Sequence, residues 1–133
     1  MTGGCQCGAI RFEIWDAPEA VYVCHCTECR RQSSSAFGIS VITRAAAFRV
    51  TSGEPRCWQR QTDSGNRMDC WFCPDCGTRV WHVSSTTPFM RSVKGGTLDD
   101  PPDLSSAVHL FVDRKLPGVV IPEGALQFAG EPE

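Results

Sequence analysis

Cys24-His25-Cys26-Thr27-Glu28-Cys29 places three thiols within six residues. Three thiolates from so short a segment can fill three corners of a tetrahedral ion and leave the fourth corner to another donor. That arrangement is the mark of catalytic rather than structural zinc. Three thiolates around Zn²⁺ carry a net charge of −1, so a bound water would be acidified less than on three neutral histidines. A thiol is the better match, because soft sulfur suits the metal and coordination holds it as the nucleophilic thiolate near neutral pH. The chemistry of this segment therefore points to a thiol substrate more than to hydrolysis.

Two further groups end in glycine: Cys5-Gln6-Cys7-Gly8 and Cys73-Pro74-Asp75-Cys76-Gly77. In a zinc knuckle, the glycine after the last cysteine lets the backbone take positive φ and turn its amides toward sulfur. Together the two pairs supply the four ligands of a closed structural site: Cys5, Cys7, Cys73 and Cys76. Such a site would tie the N-terminal strand to the middle of the chain, a large term for a small β-rich domain. Cys57 and Cys70 stand outside this pattern. Either could close the three-cysteine site and make it structural, and so could His25, although it lies between two proposed ligands. Strand alternation places Cys70 with Phe72, opposite Trp71, which suits a buried thiol.

The elements that must position these groups read as β-rich. Alternation or apolar runs predict strands over residues 9–15, 20–23, 37–42, 48–51, 78–83 and 90–94, and a hairpin joins 57–61 to 67–72 across Asp63-Ser64-Gly65-Asn66. Residues 27–33 predict one short helix with Thr27 as its N-cap. Residues 124–133 read as a loosely held tail, docked through Leu126 and Phe128. Trp15, Trp58, Trp71 and Trp81 read as core, with pocket wall as the alternative.

The 133 residues predict a single zinc-binding domain over 1–133. The net charge of −2 argues against a nucleic-acid partner. No apolar run is long enough for a bilayer, and no signal peptide is visible, so a cytoplasmic location is expected. The odd count of nine cysteines argues against a disulfide scaffold.

At this point the motifs resemble a known family. Gly4-Cys5-x-Cys7-Gly8-Ala9-Ile10-Arg11-Phe12, Cys24-His25-Cys26-x-x-Cys29-Arg30-Arg31-x-Ser33, Ala36-Phe37 and Phe72-Cys73-x-x-Cys76-Gly77-Thr78 resemble the glutathione-dependent formaldehyde-activating enzymes and the related centromere protein V domain. Gly96-Thr97-Leu98-Asp99-Asp100-Pro101, His109, Phe111, Lys115 and Ile121 extend the likeness more loosely, over roughly residues 3–128 in all. The resemblance implies a mainly β, zinc-stabilised β-tent fold of packed antiparallel sheets with at most short helices. It implies two zinc ions, one held by Cys5, Cys7, Cys73 and Cys76 and one by Cys24, Cys26 and Cys29. It also implies carbon–sulfur lyase chemistry, the reversible joining of glutathione to formaldehyde as S-(hydroxymethyl)glutathione. Two positions depart from the family pattern: Ser33-Ser34-Ser35 stands where Ser-Gly-Ser is common, and Pro117-Gly118 where Pro-Trp is common.

Arg30 and Arg31 would offset the anionic three-thiolate centre and hold a carboxylate of a thiol such as glutathione; the plainer reading is a solvated basic turn. His25, His82 and His109 titrate in a useful range, yet each reads as structural and none is given a catalytic role. The rival function is a non-catalytic zinc-stabilised binding or scaffold module.

Overall fold

The computed structural model describes residues 1–132. Ten strands and one helix follow in the order β1 (Thr2–Gly4), β2 (Arg11–Ile14), β3 (Ala20–Cys24), α1 (Thr27–Ser33), β4 (Gly38–Arg44), β5 (Phe48–Ser52), β6 (Arg56–Gln61), β7 (Arg67–Phe72), β8 (Arg79–Ser84), β9 (Met90–Lys94) and β10 (Val108–Leu110). They form a three-stranded sheet, β1-β2-β5, and a seven-stranded sheet, β10-β3-β4-β9-β8-β7-β6. The fold is mainly β, as expected. Every pairing is antiparallel except β10 on β3, where the long connection after β9 returns the chain to the sheet's edge in the parallel sense.

The core lies between the sheets. Phe12 and Ile14 of β2 alternate inward with Arg11 and Glu13 outward, and meet Val41, Val93 and Trp81 of the larger sheet. Phe48 bridges the two layers, its ring centre 5.4 Å from Phe12 and 5.0 Å from Trp81. Full burial of a side chain such as Phe12 contributes about 1.5–3 kcal/mol. Of the four tryptophans read as core, only Trp81 is buried; Trp71 stacks on it at 5.4 Å. Trp15 and Trp58 are exposed instead, each with an arginine over its ring, Arg49 and Arg79 respectively. Trp15 falls just past the end of β2, and Trp58 lies on the edge strand β6.

Register divides the larger sheet into two unlike faces. Cys24 pairs with Gly38, Ser40 with Lys94, Ser92 with His82, and His82 with Cys70. Because side chains alternate, these residues share the face turned away from the core. That second face is polar yet largely buried, and α1 lies across it, tied to β6 by the Arg60–Glu28 ion pair at 3.9 Å.

The end of the chain is pinned by backbone. His109 N–H donates to the Leu126 carbonyl and Phe128 N–H donates to the His109 carbonyl, each at 2.9 Å. Phe128 is half-buried, whereas the Leu126 side chain is exposed, so the docking expected of Leu126 comes from its carbonyl alone. Asp99, in the Gly-Thr-Leu-Asp-Asp segment, receives a two-pronged ion pair from Arg11 and a hydrogen bond from Thr2 Oγ1, which locks β1 and β2 to the turn after β9. No helix among the described residues is long and apolar enough to cross a membrane.

Candidate metal centres

The Cys5–Cys7 and Cys73–Cys76 turns are built alike. Gly8 and Gly77 take φ of +83° and +82°, as the knuckle reading required. Gly8 N–H donates to the Cys5 carbonyl and Gly77 N–H to the Cys73 carbonyl, closing each turn. Gln6 N–H reaches Thr78 Oγ1 at 3.1 Å, so the two turns are also hydrogen-bonded to each other. The four Sγ atoms lie within 4.8 Å of one another, with Cys5–Cys7 at 3.5 Å and Cys7–Cys73 at 3.7 Å. A tetrahedral ion with metal–sulfur bonds of about 2.3 Å needs edges of about 3.8 Å. The donor set and the spacing fit a four-thiolate ion. Ile10 N–H donates to Cys5 Sγ at 3.2 Å, and hydrogen bonds from Thr78 lower the Cys76 thiol to about 5, so both sulfurs are stabilised as thiolates.

The second cluster is local. Cys24 ends β3, Cys26 is the N-cap of α1, and Cys29 sits in its first turn. The cap was expected at Thr27; instead Cys29 N–H donates to Cys26 Sγ at 3.3 Å, so a sulfur does the work that a hydroxyl usually does. The three Sγ atoms lie within 4.8 Å of one another. Their crowding drives the thiols apart in acidity: hydrogen bonding from Cys24 lowers Cys26 to about 2, while hydrogen bonding to Cys26 raises Cys24. Sulfurs gathered this closely fit a shared cation. Gly38 makes the room, since a Cβ there would meet Cys29 Cβ at 3.1 Å.

No fourth cysteine, histidine or carboxylate joins this group among the described residues. Cys70 is buried, its Sγ directed to the Met68 carbonyl at 3.8 Å, and Cys57 lies on β6 in neither cluster. His25 turns away from its neighbours in sequence. Its Nε2 lies 3.0 Å from His109 Nδ1, and burial, then the His109 charge, holds its pKa below the usual 6.5.

Arg30 and Arg31 line an open concavity of about 380 Å³ with Thr27, Ser34 and Ser35, on a face of α1 that carries none of the three cysteines. Neither arginine forms an ion pair among the described residues. Ser34, the middle serine of the departed motif, is the C-cap of α1 with φ +52° and ψ +40°. It occupies the left-handed position that glycine takes at no steric cost. Ser33 Oγ lies 2.7 Å from the Cys29 carbonyl and 3.0 Å from that of Phe37, which ties the helix to β4.

One residue escaped the sequence reading. Lys94, at the end of β9, is buried with 9% exposure, and its Nζ lies 2.6 Å from His82 Nδ1. Period-two alternation put Lys94 on the face of Ser92, but nothing in a single strand marks that face as covered.

A family model described as "Glutathione-dependent formaldehyde-activating enzyme" matches residues 1–114. That match holds all seven clustered cysteines and stops short of the C-terminal end of the motif likeness. A crystal structure of a Rhodobacter sphaeroides protein is similar in fold and sequence, with a TM-score of 0.63 and 26% identity over 82% of this chain and 99% of that one.

Proposed function

The chain belongs to the glutathione-dependent formaldehyde-activating enzyme family, and on that footing we propose that it is a zinc-dependent carbon–sulfur lyase-type enzyme acting on a thiol and a small aldehyde, with glutathione and formaldehyde as the leading pair. The observation that carries this reading is the three-sulfur cluster delivered by one turn, with no fourth protein ligand among the described residues. Zinc held there by Cys24, Cys26 and Cys29 would supply a centre at which an added thiol is kept as its thiolate near neutral pH. Zinc held at Cys5, Cys7, Cys73 and Cys76 would serve the fold.

In the forward direction the substrate sulfur gives an electron pair to the aldehyde carbon and a C–S bond forms. The carbonyl π pair moves to oxygen, which takes a proton and becomes the hydroxymethyl group; the reverse step returns thiol and aldehyde. This chain's part is to orient the thiol. Arg30 and Arg31, which follow Cys29 on α1 and carry no competing ion pair among the described residues, are suited to a carboxylate of glutathione. The histidines are poor proton carriers here: His25 and His109 are buried against each other, and His82 is engaged by Lys94.

Cobalt in place of zinc tests this reading. Added glutathione should change the visible spectrum of one of two bound cobalt ions, and Arg30→Gln with Arg31→Gln should weaken that response while leaving metal content at two. A spectrum blind to glutathione would favour the scaffold reading.

A further inference from the structure

Lysine is almost never fully buried without a partner of opposite charge. Lys94 is buried, yet it belongs to none of the salt bridges among the described residues. Its hydrogen-bond partner, His82, is a neutral acceptor: burial, then the charges of Lys94, Arg79 and Arg60, keep the imidazole pKa well below 6.5. Glu28, the carboxylate of α1 over this face, is paired with Arg60. Lys94 shares its face of the sheet with sulfur. The register sets it diagonally from Cys24 across β4, and Cys29 rests on Gly38 of the same face. Burial pulls the ammonium down to about 8 and Arg79 adds to that, while negative charge at the three-cysteine cluster, Cys29 first, holds it up.

The charges then act in one direction. Three thiolates and a divalent ion leave −1, and the Lys94 ammonium on the same face, to which Arg79 adds, offsets that charge. A further thiolate would meet a centre made less anionic by Lys94, and in an interior of low dielectric that difference is large. We propose that Lys94, aimed by His82, is a positioning residue that supplies the counter-charge of the Cys24–Cys26–Cys29 centre and so favours an anionic sulfur as its next ligand. The ligand class rests on the function proposed above; the counter-charge itself does not.

The test uses the full chain loaded with cobalt, read by thiolate-to-metal absorption. One arm measures chelator competition at each cluster and the other titrates glutathione. Lys94→Met should weaken the three-cysteine cluster for cobalt, and for glutathione, each about tenfold, the effect of removing one neighbouring opposite charge. Lys94→Gln, which keeps a hydrogen bond to His82 without charge, should match it, and Lys94→Arg should restore most of both affinities. The four-cysteine cluster should hold cobalt equally in all of them, which reports an intact fold; should Lys94→Met fail that control, Lys94→Gln decides. Wild-type cobalt affinity at the three-cysteine cluster in the neutral variants overturns the proposal. A wild-type protein that holds both ions but ignores glutathione would sink the lyase reading, while the chelator arm still decides Lys94.

Discussion

The two cysteine clusters use one ligand chemistry and differ in how the chain delivers it. The four-cysteine cluster draws its pairs from turns 66 residues apart, one on each sheet, so its sulfurs meet only when the sheets are packed. The three-cysteine cluster is carried by a strand end and the first turn of a seven-residue helix, so its sulfurs are neighbours before the rest of the chain folds. A group assembled from distant segments stabilises the fold by holding them together; a group assembled locally contributes little to long-range order and is free to serve a ligand. The contrast extends to what surrounds them. The first cluster is satisfied by backbone and Thr78, while the second sits on a buried polar face with arginines at one side and Lys94 behind.

The sharpest way to break this contrast is to remove one ligand from each. Cys73→Ser should cost more than about 4 kcal/mol, the range of a lost structural metal, and denaturant melts should show it. Cys26→Ser should lower metal content from two ions to one, abolish the glutathione response, and shift the melt far less. Equal destabilisation by the two would mean that both clusters hold the fold. Next in size is Gly38→Ala, whose new methyl crowds Cys29 at 3.1 Å. Overpacking of this kind costs about 1–3 kcal/mol, and metal should be lost from the three-cysteine cluster alone, as measured by stepwise chelation.

Acid sharpens the comparison further. Burial keeps His25, His82 and His109 below their ordinary 6.5 in the fold. Between the folded values and 6.5 the unfolded chain binds more protons, so stability is full above that pH and declines as pH falls through it. His82 and His109 lie in the larger sheet and His25 directly follows its strand β3, the half that carries the three-cysteine cluster. Thermal midpoints followed from pH 7.5 to 5, with metal content checked at each point, should fall; a flat profile would mean that these imidazoles protonate inside the fold. The smallest effect belongs to Ser34→Gly, which should raise stability by about 1 kcal/mol by relieving the left-handed conformation at the end of α1, without changing metal content at either cluster.

The cysteine partition was legible because ligand spacing is a local property: tight turns, glycine after the last sulfur, and a short helix are all written within ten residues. Strands β2 to β9 were legible for the same reason, from alternation and turn residues. β1 was missed because three residues with two glycines carry no pattern, and β10 because its partner β3 lies more than eighty residues away.

Residue types and spacing alone grouped seven of the nine cysteines, as Cys5, Cys7, Cys73 and Cys76 and as Cys24, Cys26 and Cys29, and left open whether Cys57, Cys70 or His25 completes the second group. Only the tertiary structure decided that Cys70 turns inward without joining them, that His25 pairs with His109, and that Lys94 lies buried behind the three-cysteine group. The physical reason is that a strand specifies its two faces but not what covers them. The order β4-β9-β8 and the placement of α1 over that sheet make Lys94 an enclosed charge.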